Sequence, residues 1–297
     1  MEIHLHCYLL CLIRKKILYK EERRKEIVNY PKDSLAGAKA IRANSKAGVT
    51  PVLILCDNSG SMSSYVDTVN QCLINLIQDL KENPVLSHKI DLRIVSFNTQ
   101  YIEILPFTMV DRIDVSRFQK VEQADWATFL GTALSKAIEE LAEEKAMFKA
   151  SSAEYTQPNL IVLSDGYPEQ EDVAVTAKGI KDVQDKIQNE RWNCIPIFIG
   201  HDYGSNVLRD ISVPDNYGNK TVITFDSNDK NSDIIEAFKF ASMSVGAVGE
   251  QAGNPSYKPM STSELKQKIL EAEKRREKIK KNAAQPQKKS FWDKLGF

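Results

Sequence analysis

Only five cysteines occur among 297 residues, Cys7, Cys11, Cys56, Cys72 and Cys194. Their number is odd and no C-x-x-C pair is present, which excludes a disulfide framework and is the usage of a reducing compartment. Histidine is scarcer still, with four in the chain. His4 and His6 lie beside Cys7 and Cys11, but neither spacing nor partners fit a zinc motif; His88 and His201 are isolated and read as solvated loop residues. Long apolar runs are missing as well. The nine residues LHCYLLCLI (5–13) before RKK are too short to span a bilayer. Their order, apolar first and basic second, is the reverse of a secretory signal. The expectation is a soluble, cytoplasmic protein, its first twenty residues being either a peripheral anchor or the product of an upstream start. There is no G-x-x-x-x-G-K-[ST] phosphate loop and no internal repeat.

Net charge is also missing, but its zero sums unlike parts. Lys and Arg number 7 against 4 Asp and Glu in residues 1–30, 21 against 31 in 31–250, and 12 against 5 in 251–297. An acidic body thus carries a basic tail. Such a body is a poor ligand for a phosphate backbone, which needs clustered Lys and Arg on the contacting face, so no nucleic-acid partner is expected. With 42% hydrophobic residues the chain has ample material for a core.

What is present is an alternation of β-branched runs with helical patterns, the signature of a mostly parallel sheet covered by helices on both faces. The runs are VLILC (52–56), IDLRIVSF (90–97), YIEILPF (101–107), NLIVLS (159–164), CIPIFIG (194–200) and TVITF (221–225). Val66, Val69, Leu73, Leu76, Ile77 and Leu80 recur at three- and four-residue steps, as do Leu134, Ala137, Ile138 and Leu141. Similar periods occupy 171–187 and 232–245. Only NTQ separates the second and third runs, so these form an antiparallel hairpin at the sheet edge. One α/β domain over 48–250 follows, between an N-terminal extension (1–47) and a charged tail (251–297). In the tail, QAGNPSYKP reads as a linker, and SELKQKILEAEKRREKIKKN as a solvated helix capped by Thr262 or Ser263. Phe291, Trp292 and Leu295 then stand at helical spacing beside lysines.

Ligands of such sheets bind beyond the carboxyl ends of the strands. Three polar loops lie there: CDNSGSMS (56–63), offering Asp57, Ser59 and Ser61; DWATFLGTAL (125–134), offering Thr128; and SDGYPEQED (164–172), offering Asp165. Each alone has a plain structural reading, as an Asx turn, a helix N-cap and a turn at Gly166 respectively. Together they supply two carboxylates and three hydroxyls, all oxygen donors, which suit a hard divalent cation. Two acidic groups barely neutralise such an ion, leaving it able to take an anionic oxygen from outside.

These residues, DNSGS (57–61), Thr128 within T-x-x-G-x-A-L and Asp165 within SDG, resemble the metal-ion-dependent adhesion site of von Willebrand factor A domains. The resemblance covers roughly 50–246. SGSMS, VNQCLINLIQDLKENP, IDLRIVSFNT and LPFT further resemble a bacterial tellurite-resistance, TerY-like branch. That branch often has Gly-Gly before the threonine where this chain has Trp126-Ala127, which makes Trp126 a candidate gate or partner contact. The resemblance implies a Rossmann-like fold and a Mg²⁺ site, with Mn²⁺ and Ca²⁺ as alternatives. It implies direct coordination by Ser59, Ser61 and Thr128, and direct or water-mediated coordination by Asp57 and Asp165. It further implies a non-enzymatic module that binds an acidic residue of a protein partner, with a kinase or phosphatase of a stress-response system as neighbour.

Two other classes of function are weighed against this. A Mg²⁺-dependent hydrolase or phosphatase needs a base or nucleophile near the metal, commonly a second Asp two residues after the first. Ser59 holds that position, and no His or Lys is expected near the three loops. Alternatively the tail is the working element, a scaffold or weak membrane contact through its basic, amphipathic end.

Overall fold

The computed structural model describes residues 48–122, 127–150, 153–166, 168, 170–200, 205–250 and 259–284. The expectations on His4, His6, Cys7 and Cys11, on Trp126, on His201, and on Phe291, Trp292 and Leu295 lie outside the described residues. Six strands form one sheet: β1 (Thr50–Asp57), β2 (Ile90–Phe97), β3 (Tyr101–Met109), β4 (Asn159–Ser164), β5 (Asn193–Ile199) and β6 (Ile223–Phe225). Their spatial order is β3-β2-β1-β4-β5-β6. All neighbours are parallel except β2 and β3, whose antiparallel hairpin closes one edge as expected. The helices are α1 (Val66–Glu82), α2 (Leu130–Ala150), α3 (Val173–Glu190), α4 (Ser205–Asp210), α5 (Lys230–Gly249) and α6 (Thr262–Ala284).

Every residue of β1 and β4 is buried, because a parallel strand in mid-sheet is covered on both faces. The side chains of β1 alternate between two cores. Val52, Ile54 and Cys56 meet Leu73, Leu76 and Ile77 of α1 and Ile234, Phe238 and Ala241 of α5. Leu53 and Leu55 meet Leu130, Leu134 and Leu141 of α2 and Val183 of α3. The chain leaves β1 toward β2 on one side, while β4 adjoins β1 on the other. The connections therefore diverge at the carboxyl ends of β1 and β4, and a crevice opens there.

Two departures from the sequence reading concern the last helix. Ser261, not Thr262 or Ser263, caps α6: its hydroxyl accepts from the Glu264 N–H at 3.3 Å, and the Glu264 carboxylate accepts from the Ser261 N–H at 2.8 Å. This is a capping box. Nor are its first turns solvated, since Met260, Leu265 and Ile269 join the core beneath α5. Three apolar residues inside a strongly charged segment leave a narrow stripe, so composition masks the docked face. Among the described residues no helix is long and apolar enough to cross a membrane.

Docking makes a measurable difference between neighbours on α6. Leu265→Ala removes a fully buried side chain and should cost about 2–5 kcal/mol in urea denaturation. Leu270→Ala, at a position 49% exposed, should cost under about 0.5 kcal/mol. Equal, negligible effects would mean the helix is solvated throughout.

Candidate functional site

The first loop starts where β1 runs out. Asp57 is the last residue of the strand and only 1% exposed. One carboxylate oxygen accepts from the Ser59 N–H at 2.8 Å, an Asx turn, and the other accepts from the Ser164 hydroxyl at 2.5 Å. Ser59 is extended and precedes a 3-10 turn over Gly60–Tyr65, which brings the Ser59 and Ser61 hydroxyl oxygens to the same side, 3.1 Å apart. The Ser61 hydroxyl then donates to Asp165 Oδ1 at 2.8 Å across the crevice. Asp57, Ser59, Ser61 and Asp165 thus form one connected set drawn from two loops far apart in sequence.

Thr128 is buried beside them. A Cβ built on Gly166 would lie 3.4 Å from its Oγ1, so the second loop touches the third where the side chain is smallest. Helix capping is not the work of Thr128. Glu171, from the loop after β4, accepts from the N–H groups of Gly131 and Thr132 at 2.7 and 2.8 Å. It also takes the hydroxyls of Thr132 and Thr176 at 2.7 and 2.9 Å. A carboxylate at a helix N-terminus satisfies orphan donors and complements the dipole; here it also clamps the second loop to the third. The clamp is close because α2 and α3 cross at glycines. A Cβ on Gly131 would stand 2.4 Å from Thr176 Cα, and one on Gly179 2.3 Å from the Gly131 carbonyl oxygen. Asn98 adds the hairpin to the assembly by accepting from the Phe129 N–H at 3.0 Å, and Asn58 ties the first loop to Glu122 O at 2.6 Å.

All five ligand candidates therefore gather at one place, with Trp126 outside the described residues. Sequence reasoning missed Asn58, Asn98, Ser164 and Glu171, which hold the set. It also expected no lysine at the loops, and here the structure differs. Lys230, the first residue of α5, pairs with Asp165 Oδ2, and its ammonium lies 3.2 Å from the Ser61 carbonyl oxygen and 5.3 Å from the Tyr65 ring centre. The available signal was a lysine at the start of a helix, next to the cap residue Asp229, where the dipole disfavours a cation.

The donor set fits a hard cation: two carboxylates and three hydroxyls, with no sulfur and no imidazole. Among the described residues no three His, Cys, Asp or Glu side chains gather, so hydroxyls are integral to any metal site here. Cys56 precedes Asp57 but faces the opposite core, and burial pushes its thiol up, which removes it as a nucleophile. Burial first, and the neighbouring Asp165 charge second, push the Asp57 carboxyl up to about 6 against the hydrogen bonds from Ser164 and Ser59. The site stores uncompensated negative charge.

The sign of that effect sets an expectation. A carboxyl whose folded value exceeds its ordinary 3.8 lowers stability as it ionises, with no penalty below about pH 4 and the whole penalty above about pH 6. In chelator at pH 7.5, Asp57→Asn should be more stable than wild type by up to about 3 kcal/mol, and the advantage should vanish near pH 4 in urea melts. A less stable variant at both pH values would mean that Asp57 is a structural turn residue only.

Comparison with known proteins places this geometry. Residues 52–237 match the model of the von Willebrand factor type A domain. A search of curated proteins gave no match. Among solved structures, the pilus adhesin SpaC of Lactobacillus rhamnosus GG aligns with TM-score 0.51 and 10% identity, over 68% of this chain and 30% of that one. The PilB minor pilin of Streptococcus sanguinis aligns with TM-score 0.50 and 13% identity, over 72% and 64%. Proximal thread matrix protein 1 of the mussel byssus, with a zinc-occupied adhesion motif, aligns with TM-score 0.48 and 16% identity, over 66% and 48%. This chain thus spans about half the length of that protein, and at such identities the likeness is one of fold. Domains of the matched family often mediate protein–protein interaction through a metal-ion-dependent adhesion site. The model covers most of the chain, including all three loops at the crevice, and the chain belongs to the von Willebrand factor type A domain family.

Proposed function

We propose that the domain is a non-enzymatic protein-binding module whose Asp57, Ser59, Ser61, Thr128 and Asp165 hold a Mg²⁺ ion that receives a carboxylate from a protein partner. The observation that carries this reading is the chain of contacts from Ser59 Oγ to Ser61 Oγ to Asp165 Oδ1, at 3.1 and 2.8 Å. It gathers oxygen donors from two loops at the switch point of the sheet. A bound ion would neutralise Asp57 and Asp165 together, and would supply the Lewis acidity that attracts an anionic oxygen. Ser59, Ser61 and Thr128 would bind it through neutral hydroxyls, which leave that acidity largely intact. Mn²⁺ and Ca²⁺ are alternative ions for the same donors.

For the cellular setting, the reading is a bacterial cytoplasmic protein of a stress or tellurite-resistance system, with a kinase or phosphatase as neighbour. Its support is the phrase-by-phrase likeness of SGSMS, VNQCLINLIQDLKENP, IDLRIVSFNT and LPFT to the TerY-like branch. The acidic body argues against nucleic acid, and the basic segment 251–297 is the candidate for any membrane contact.

The test is recovery of a partner from the source cells with the full chain and with Asp57→Ala, each with Mg²⁺ and with chelator. A partner held only by wild type in Mg²⁺ is the expected result. Retention by Asp57→Ala in chelator, combined with loss on deleting 251–297, would shift the function to the tail. Mg²⁺-dependent turnover of a generic phosphate ester that disappears in Asp57→Ala would replace the binding module by a hydrolase.

A further inference from the structure

Lys230 sits where general preferences say a lysine should not. Its side chain is partly covered, at 28% exposed. It occupies the first position of α5, where the unpaired N–H groups repel a cation, and the Asp229 cap and Asp233 in the first turn already complement the dipole. What holds the ammonium in place is the site: the Asp165 carboxylate, the Ser61 carbonyl and the Tyr65 ring face. Its partner is more deeply placed, the Asp165 side chain being 1% exposed. The carboxylate that joins the third loop to the first is therefore already neutralised by a cation that belongs to the chain.

We propose that Lys230 is a tethered competitor for the metal: its ammonium occupies Asp165 in the metal-free protein, and a divalent cation must displace it to load the site. This rests on the metal-binding reading above. Two carboxylates balance one divalent ion, so with Lys230 nearby the loaded site carries surplus positive charge. That surplus opposes metal entry and favours the subsequent arrival of an anionic ligand. Metal and partner carboxylate thereby become coupled, since the incoming anion relieves a repulsion that the metal alone has to bear. Lys230 biases the site toward being loaded when a partner is present.

The experiment counts free Mn²⁺ by electron paramagnetic resonance during titration of the full chain, comparing wild type with Lys230→Met, Lys230→Gln and Lys230→Arg. Removing a unit positive charge that competes with a divalent ion for one carboxylate in a partly screened site is worth about a factor of ten or more. The neutral variants should therefore bind Mn²⁺ about tenfold or more tightly than wild type, while Lys230→Arg stays near wild type. The metal-induced rise in Tm should likewise be larger in the neutral variants, whose metal-free forms leave Asp165 unpaired. Melting each variant in chelator shows whether it is folded, and Gln serves should Met disturb the packing on Tyr65. Equal or weaker Mn²⁺ binding in both folded neutral variants, with wild type binding, would overturn the role of Lys230 and leave the metal site standing. No Mn²⁺ binding by any of the four would sink both.

Discussion

Two carboxylates held close together out of water are the constraint around which this crevice is built. Asp57 and Asp165 end or follow adjacent parallel strands, so the sheet itself fixes their separation. Asp57 cannot move off without unpairing a strand buried along its whole length, and Asp165 follows directly on another such strand. Their repulsion has to be met locally. The Ser59 amide and the Ser164 hydroxyl serve Asp57, while the Ser61 hydroxyl and Lys230 serve Asp165. Three donors from the loops and strand ends and one lysine thus serve the two carboxylates.

Rigidity of the surroundings follows from the same requirement. Donors must stay aimed at charge whether or not an ion is present, and loops alone would relax. The glycine crossing of α2 and α3 brings two helix backbones to closest approach beside Thr128, and Glu171 fastens the same point with four accepted hydrogen bonds. A packed core cannot yield by fractions of an ångström without cost, so the crossing transmits the stiffness of the helical layer to the loops. The glycines at 131 and 179 therefore matter for the site although neither offers it a side chain.

Much of this was legible in the chain, and the unread parts share a cause. The strands announce themselves because β-branched runs such as VLILC and NLIVLS are buried on both faces, and the alternation of run and helix leaves few topologies. The five oxygen donors were legible because their residue types and their places at strand ends coincide in three loops. Glu171 was not, since its partners Gly131 and Thr132 stand about forty positions away and a helix cap is normally sought next to the helix it caps. Docking of α6 escaped notice because Met260, Leu265 and Ile269 are diluted among charges. These features depend on what the fold brings together, which no local pattern encodes.

Lys230 illustrates the difference between a residue that is unreadable and one that is misread. A lysine at the head of a helix violates a local preference, and such violations mark places where a longer-range interaction outweighs the local cost. The favourable term here is the pairing with Asp165, which is more deeply buried than the lysine and would otherwise carry an unbalanced charge beside Asp57. On the proposed metal-binding reading, a site made of two carboxylates and neutral hydroxyls would exist in two charge states, without and with its ion. A fixed cation near it eases the first state and strains the second. The side chain that pairs with Asp165 belongs to α5, outside the three loops that define the site in sequence.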